Sequence, residues 1–229
     1  MLESLKKQVI DANKRLREEN LVILTWGNVS GIDREKNLVA IKPSGVPYGQ
    51  LTVDKIVIVD LKGNKIEGEL NPSSDTATHL ELYKKFETIK GVAHSHSPMA
   101  TAWAQSGKNI PVFGTTHSDY FNGDIICSRK MKESEVKTDY EKNTGRLIVE
   151  EMSDKNPDYS PGILINGHGP FTWGKSPDNA VDSMLIIEEI AKMAYHSLNI
   201  NGGLENLETY LQEKHFWRKH GEKAYYGQK

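Results

Sequence analysis

His94 and His96 stand one residue apart at the end of a short apolar run in which Ile89, Val92 and Ala93 read as a buried strand. On a strand, residues two apart face the same side, so both imidazoles project into one space roughly 6–7 Å apart along the backbone. Imidazole is a preferred ligand of zinc and its first-row neighbours, and this spacing suits two ligands of one divalent metal. Histidine pairs without metal are common, so the pair alone does not decide. A third histidine, His168, lies in Asn166-Gly167-His168-Gly169-Pro170, where the flanking glycines let the backbone approach closely. Three histidines at two strand ends could form an open catalytic site, with a position left for water or substrate. Asp75 is the candidate for a fourth, displaceable carboxylate ligand, and a plain helix N-cap is its competing reading.

Other short segments have the shape of an anion site. Lys42-Pro43-Ser44-Gly45 places an ammonium, a hydroxyl and a free amide together, and Ser73-Ser74 lies where a helix should begin. Free N–H groups and the dipole favour a phosphate at such an end. Trp26-Gly27-Asn28-Val29-Ser30 offers an amide side chain beside a glycine that admits close approach. Each alone reads as a turn; together, beside a candidate metal, they favour a phosphorylated small molecule. In Thr115-Thr116-His117-Ser118-Asp119-Tyr120, Asp119 could act as a general acid or base. His117 invites a ligand reading but is more often structural, and His79 and His196 fall inside expected helices.

The elements that must carry these residues follow from periodicity. Leu2, Leu5, Val9, Ala12 and Leu16 form one apolar stripe on an opening helix. Strands are expected over residues 21–25, 38–41 and 56–60, with turns at 31–33 and 62–64. A helix over 76–86, the His-x-His strand, a helix over 98–105, strands near 111–114 and 124–127, and a polar helix over 133–151 come next. A strand over 163–166 carries His168 at its end. Ser176-Pro177-Asp178 caps a long helix to about residue 198, and a last helix is expected over 204–219. Interleaved strands and helices without repeat or linker predict one domain, with helices on both faces of a mixed sheet.

Composition sets the limits. The 229 residues carry a net charge of −2, which gives no case for a nucleic-acid surface. A single cysteine, Cys127, excludes an intrachain disulfide and argues against a Cys-rich zinc site. No apolar run is long enough to span a membrane, and the first residues hold no signal-like apolar stretch. A cytoplasmic enzyme is the expectation.

These segments, in this order, resemble the class II (zinc) aldolase/epimerase family, and within it the epimerase branch. The resemblance rests on residues 24–30 (Leu-Thr-Trp-Gly-Asn-Val-Ser), 41–45, 72–76, 94–97, 114–117 with 119–121, 167–171, and 219–221 with 224–228. It implies an α/β fold, a single-domain three-layer α/β/α sandwich with a central, mostly antiparallel sheet. It also implies a homotetramer with shared active sites, in which the tail, 204–229, reaches a neighbouring subunit. Zinc, or another divalent metal, would be held by His94, His96 and His168 with Asp75 at the carboxylate position. Gly27, Asn28, Ser44, Gly45, Ser73 and Ser74 match the family's phosphate positions, with Lys42 beside them. Thr115 falls among the substrate-binding residues. Asp119 and Tyr226 match the two acid/base residues, and His215 and Arg218 match positions that reach a neighbouring site. Asp at position 75 resembles the epimerases, whereas fuculose-type aldolases have Glu there. Asn166-Gly167 before His168 is a minor departure from the family pattern.

The implied activity is interconversion of L-ribulose 5-phosphate and D-xylulose 5-phosphate. The C4 proton of such a pentulose has no adjacent acidifying group, but the C3–C4 bond stands in a retro-aldol relation to the C2 carbonyl. Cleavage, rotation of the aldehyde and re-addition would invert C4. An acid and a base on opposite faces of C4 fit Asp119 and a Tyr226 supplied by the next subunit. Rival readings are a class II aldolase that releases the aldehyde, a silent scaffold domain resembling the adducin head, and a metal-dependent hydrolase.

Overall fold

Seven strands pair edge to edge in the order β4-β3-β2-β1-β5-β7-β6. They are β1 (Asn28–Asp33), β2 (Leu38–Ile41), β3 (Val57–Asp60), β4 (Lys65–Glu67), β5 (Gly91–His94), β6 (Gly162–Ile165) and β7 (Gly169–Gly174). The computed structural model describes residues 2–222 and 224–227; Met1, Lys223, Gln228 and Lys229 lie outside the described residues, so the end of the quoted tail segment does too. Every pairing between these strands is antiparallel, which replaces the mixed sheet expected from periodicity with the antiparallel sheet implied by the resemblance.

Alternation along the strands sorts side chains to two helical layers. On β2, Ala40 joins Val29, Ile58 and Ala93 on the face covered by α1 (Glu3–Glu18) and α7 (Pro177–Ile200). Val39 and Ile41 point the other way, into a core with Leu80 and Tyr83 of α2 (Thr76–Lys85) and Ile148 of α6 (Tyr140–Glu151). A third cluster joins Ala100 and Ala104 of α3 (Pro98–Ser106) to Leu164 of β6 and Ile187 of α7. The sheet is therefore the middle of three layers.

Several expected elements move. Residues 21–25 form no strand: Leu21 and Val22 are buried, but Ile23 and Leu24 are exposed and Leu24 turns at φ +53°. The strand begins after Gly27, at Asn28, which puts Asn28 directly opposite His94 in the register. Gly31 is not in a turn. It lies inside β1, where a Cβ would meet Leu5 and Pro177 atoms at 2.8 Å, so α1 and the start of α7 pack directly on the strand. The turn falls at 34–37, where the Asp33 carboxylate accepts from the Glu35 and Lys36 amides.

Residues near 111–114 and 124–127 make only isolated bridges, Ile110 with Ile125 and Cys127 with Leu164. The polar helix over 133–151 breaks at Thr138-Asp139 into α5 (Glu133–Lys137) and α6, which makes Tyr140 the first residue of α6. β7, directly after His168, has no counterpart among the expected strands. Ser176 caps α7 as expected, accepting from the Asn179 amide at 3.1 Å, and that helix continues to Ile200. The last helix, α8 (Thr209–Lys219), starts later than residue 204.

Candidate active site

His94 ends β5 between Asn28 of β1 and Phe171 of β7. Its Nδ1 lies 2.9 Å from the Pro170 carbonyl. A carbonyl only accepts, so Nδ1 carries the proton and Nε2 keeps its lone pair. Phe171 stacks on the ring at 4.1 Å and 14° and fixes its plane. His168 sits in the turn joining β6 to β7, with its Nδ1 3.3 Å from the Tyr140 hydroxyl. The rings of His94, His96 and His168 lie 4.7–5.1 Å apart, and one ligand atom from each falls within 4.8 Å of the others.

Burial pushes His94 down to about 3 and also lowers His96 and His168, so all three imidazoles are neutral near pH 7. Asp75 occupies the N-cap position of α2, yet its side chain makes no cap bond. Its carboxylate instead accepts from Asn28 Nδ2 at 2.6 Å. Burial presses the Asp75 pKa upward, but the His94 and His79 rings and the Asn28 amide outweigh it, and the carboxyl stays below its usual range. Three neutral nitrogens and one anionic oxygen facing a single cleft fit a divalent cation with a position to spare.

That cleft, about 420 Å³, also takes in Lys42, Ser44, Gly45, Ser73 and Ser74. Two segments distant in sequence are stitched there: Ser73 N donates to the Lys42 carbonyl and Ser44 N to the Asn71 carbonyl, both at 3.0 Å. Lys42 is 2% exposed, with its ammonium 3.3 Å from the Pro43 carbonyl and 5.1 Å above the Tyr48 ring. Burial lowers its pKa to about 8. A buried ammonium with one carbonyl and no carboxylate among its bonded partners calls for an anion. Gly27 serves the backbone here. Its φ is +85°, and a Cβ would stand 2.6 Å from the His94 carbonyl.

Asp119 and its partners assemble elsewhere. Helix α8 packs on α4 (Thr115–Ser118). Arg218 donates to the Asp119 carboxylate through Nε at 2.9 Å and Nη2 at 2.7 Å, and His215 Nδ1 lies 3.1 Å from it. Burial works against the Asp119 charge, but Arg218 and His215 outweigh it and hold the carboxyl below its usual range. The Arg218 guanidinium stands 4.8 Å over the Tyr226 ring. Thr115, Asp119, His215, Arg218 and Tyr226 thus share one end of one chain, and none of them lines the histidine cleft. Within one chain, Tyr226 and Asp119 both pack against Arg218.

The other histidines lie off the cleft, and His220 Nε2 stands 3.0 Å from the Asp119 carbonyl. His117 Nε2 meets the Gly123 carbonyl at 3.1 Å, His79 Nδ1 meets Ser30 Oγ at 2.7 Å, and His196 is exposed. Residue typing missed Tyr140 and Glu141, which line the cleft, and gave no role to Trp26, which does so too. The break at Thr138-Asp139 makes Tyr140 the first residue of α6, which a single expected helix over 133–151 does not signal.

An antiparallel sheet between helical layers, with three imidazoles and a carboxylate converging in one cleft beside Lys42, Ser44 and Ser73, is an α/β fold of the class II aldolase type with a site that could hold a divalent metal. The chain belongs to the class II aldolase and adducin N-terminal domain family, whose model matches residues 7–195. Two relatives, both named L-ribulose-5-phosphate 4-epimerase UlaF, from Salmonella paratyphi A and Salmonella typhi, are each 53% identical over the full length of both chains. Among solved structures, an L-fuculose 1-phosphate aldolase superposes with a TM-score of 0.80 at 26% identity, covering 94% of this chain and 95% of its own. An L-fuculose-1-phosphate aldolase from Thermus thermophilus shares the fold, with a TM-score of 0.68 at 21% identity over 89% of this chain and 98% of its own.

Proposed function

We propose that this chain interconverts L-ribulose 5-phosphate and D-xylulose 5-phosphate by breaking and remaking the C3–C4 bond. One observation carries the reading: the three imidazoles and Asp75 share a cleft with the Lys42, Ser44 and Ser73 cradle, in a chain 53% identical end to end to proteins named for that reaction. The cradle holds the phosphate at one end, and the histidines and Asp75 hold a divalent cation, proposed to be zinc, at the other. Such an ion supplies Lewis-acid polarisation of the ketose oxygens when bound. Asn28 keeps Asp75 in place from the neighbouring strand. Lys42, Ser44 and Ser73 retain the aldehyde fragment by its phosphate while it turns over its other face. Asp119 and Tyr226 then supply the proton acceptor and donor at the C4 oxygen.

Because those two residues lie together and off the cleft, the reading includes an assembly, proposed to be a homotetramer, in which one chain's Asp119 and Tyr226 end completes its neighbour's cleft. No helix among the described residues is long and apolar enough to cross a membrane; a cytoplasmic location is part of this proposal. The test is formation of D-xylulose 5-phosphate from L-ribulose 5-phosphate, with and without chelator. Activity that chelation abolishes and the divalent ion restores supports the reading; no product in either case refutes it. The aldolase relative of known structure keeps a second reading in play, in which the aldehyde is released. Accumulation of dihydroxyacetone in place of the C4 epimer would favour that reading. The scaffold reading requires the metal histidines to be lost, and all three converge here.

A further inference from the structure

Trp26 is the one large apolar side chain of the cleft with no role in the chemistry above. It lines the cleft yet is 51% exposed, so it stands at the mouth rather than in the wall of the core. Its ring meets His96 edge-on, with centroids 6.2 Å apart, which places it beside the histidine end of the cleft. Its backbone is pinned from below. The Tyr48 hydroxyl donates to the Trp26 carbonyl at 2.6 Å and lies 2.9 Å from that of Gly27, while the Tyr48 ring carries the Lys42 ammonium on its face. The indole is therefore a half-exposed apolar plate beside His96, on a backbone held by the same Tyr48 that carries the Lys42 ammonium.

Cleavage of C3–C4 makes such a plate consequential. The bonding pair passes into the three-carbon fragment as an enediolate, while the C4 hydroxyl loses its proton and C4 becomes the aldehyde of glycolaldehyde phosphate. Two outcomes then compete. Re-addition to the other aldehyde face returns the pair to a C3–C4 bond and gives the epimer. Protonation of the enediolate carbon by water gives dihydroxyacetone, and the two fragments leave. Excluding water from the carbanionic fragment suppresses the second outcome, and an indole does this without offering an acid group at carbon.

We propose that Trp26 is a specificity-determining residue that keeps the cleaved fragments together, setting the partition between epimerisation and aldol release. This rests on the reading of the cleft as a retro-aldol epimerase. The experiment measures, in one reaction with L-ribulose 5-phosphate, both D-xylulose 5-phosphate formed and dihydroxyacetone released, for the wild-type holoenzyme, Trp26→Phe and Trp26→Ala. A wild type that forms no D-xylulose 5-phosphate refutes the underlying reading rather than this residue's role. With an active wild type, the expected result is a release-to-epimerisation ratio about tenfold higher in Trp26→Ala, equivalent to ~1.4 kcal/mol of lost discrimination, with Trp26→Phe in between. Metal content and the thermal unfolding midpoint are followed in parallel, because a half-exposed side chain can be truncated without loss of the fold. An unchanged ratio, with both products slowed equally, overturns the proposal. So does a change in assembly size with the ratio preserved, since that would make Trp26 a contact between subunits.

Discussion

Lys42 gives the sharpest test at the scale of single residues. Its ammonium titrates at about 8 because the cleft strips it of water, and it binds an anion only while protonated. The expected pH profile of kcat/KM therefore falls above about pH 8, where the proton is lost. Lys42→Met should remove that fall and lower kcat/KM roughly 10–100-fold, the worth of a charge-assisted hydrogen bond of about 1.5–3 kcal/mol. Steady-state kinetics from pH 6.5 to about 9.5 would check both, and a fall that survives in Lys42→Met would exclude this group. Asp75→Asn should cost metal affinity more than fold stability, read as metal retained after dialysis against a weak chelator. The histidines were legible from their spacing, although β5 ends at His94 and His96 lies in the segment just beyond it, so the strand's period of two is not what brings the two rings together. Asp75 was ambiguous, since sequence cannot tell a carboxylate turned to its own helix from one turned to Asn28. Tyr140 was invisible because its link to His168 crosses from a helix start to a strand turn 28 residues away.

At the scale of elements, the helices after β5 and β7 hold the histidine loops in place. The Glu188 carboxylate of α7, 2% exposed, accepts from the Met99 amide at 3.1 Å and the Ala100 amide at 2.9 Å. Those are the first free N–H groups of α3, which starts two residues after His96. Glu188→Ala should lower unfolding stability by about 2 kcal/mol, as loss of a charged cap does, and loosen metal binding through His96. Urea denaturation with and without metal reads both effects, and unchanged stability would sink the capping argument. Long periodic elements such as α1 and α7 were readable, because their stripes meet the sheet. The start of β1 was not. Apolar Ile23 and Leu24 continue the run of Leu21 and Val22 but face outward, and only the close crossing of Gly27 over His94 fixes where pairing begins. Gly31 misled for the related reason that a glycine in a packed strand resembles one in a turn.

For the whole molecule, the separation of the two functional groups within a chain makes a prediction about mixtures. The cleft holds His94, His96, His168 and Asp75, whereas Asp119, Arg218 and Tyr226 cluster where α8 meets α4. If a working site joins one chain's cleft to its neighbour's cluster, a cleft-defective chain and a cluster-defective chain complement each other. Co-refolding His96→Asn with Tyr226→Phe in equal amounts leaves a site intact when the cleft comes from the second chain and the cluster from the first. Random assembly then restores roughly one quarter of wild-type activity from two nearly inactive parents. Asp119→Asn mixed with Tyr226→Phe must behave differently. Both residues come from the same end of the same chain, held by the same Arg218, so every cluster in the mixture lacks one of them. No rescue is expected there. Rescue in that second mixture would mean that Asp119 and Tyr226 reach a substrate from different chains. Absence of rescue in both would place the whole site within one chain and require the tail to move from where it packs on α4.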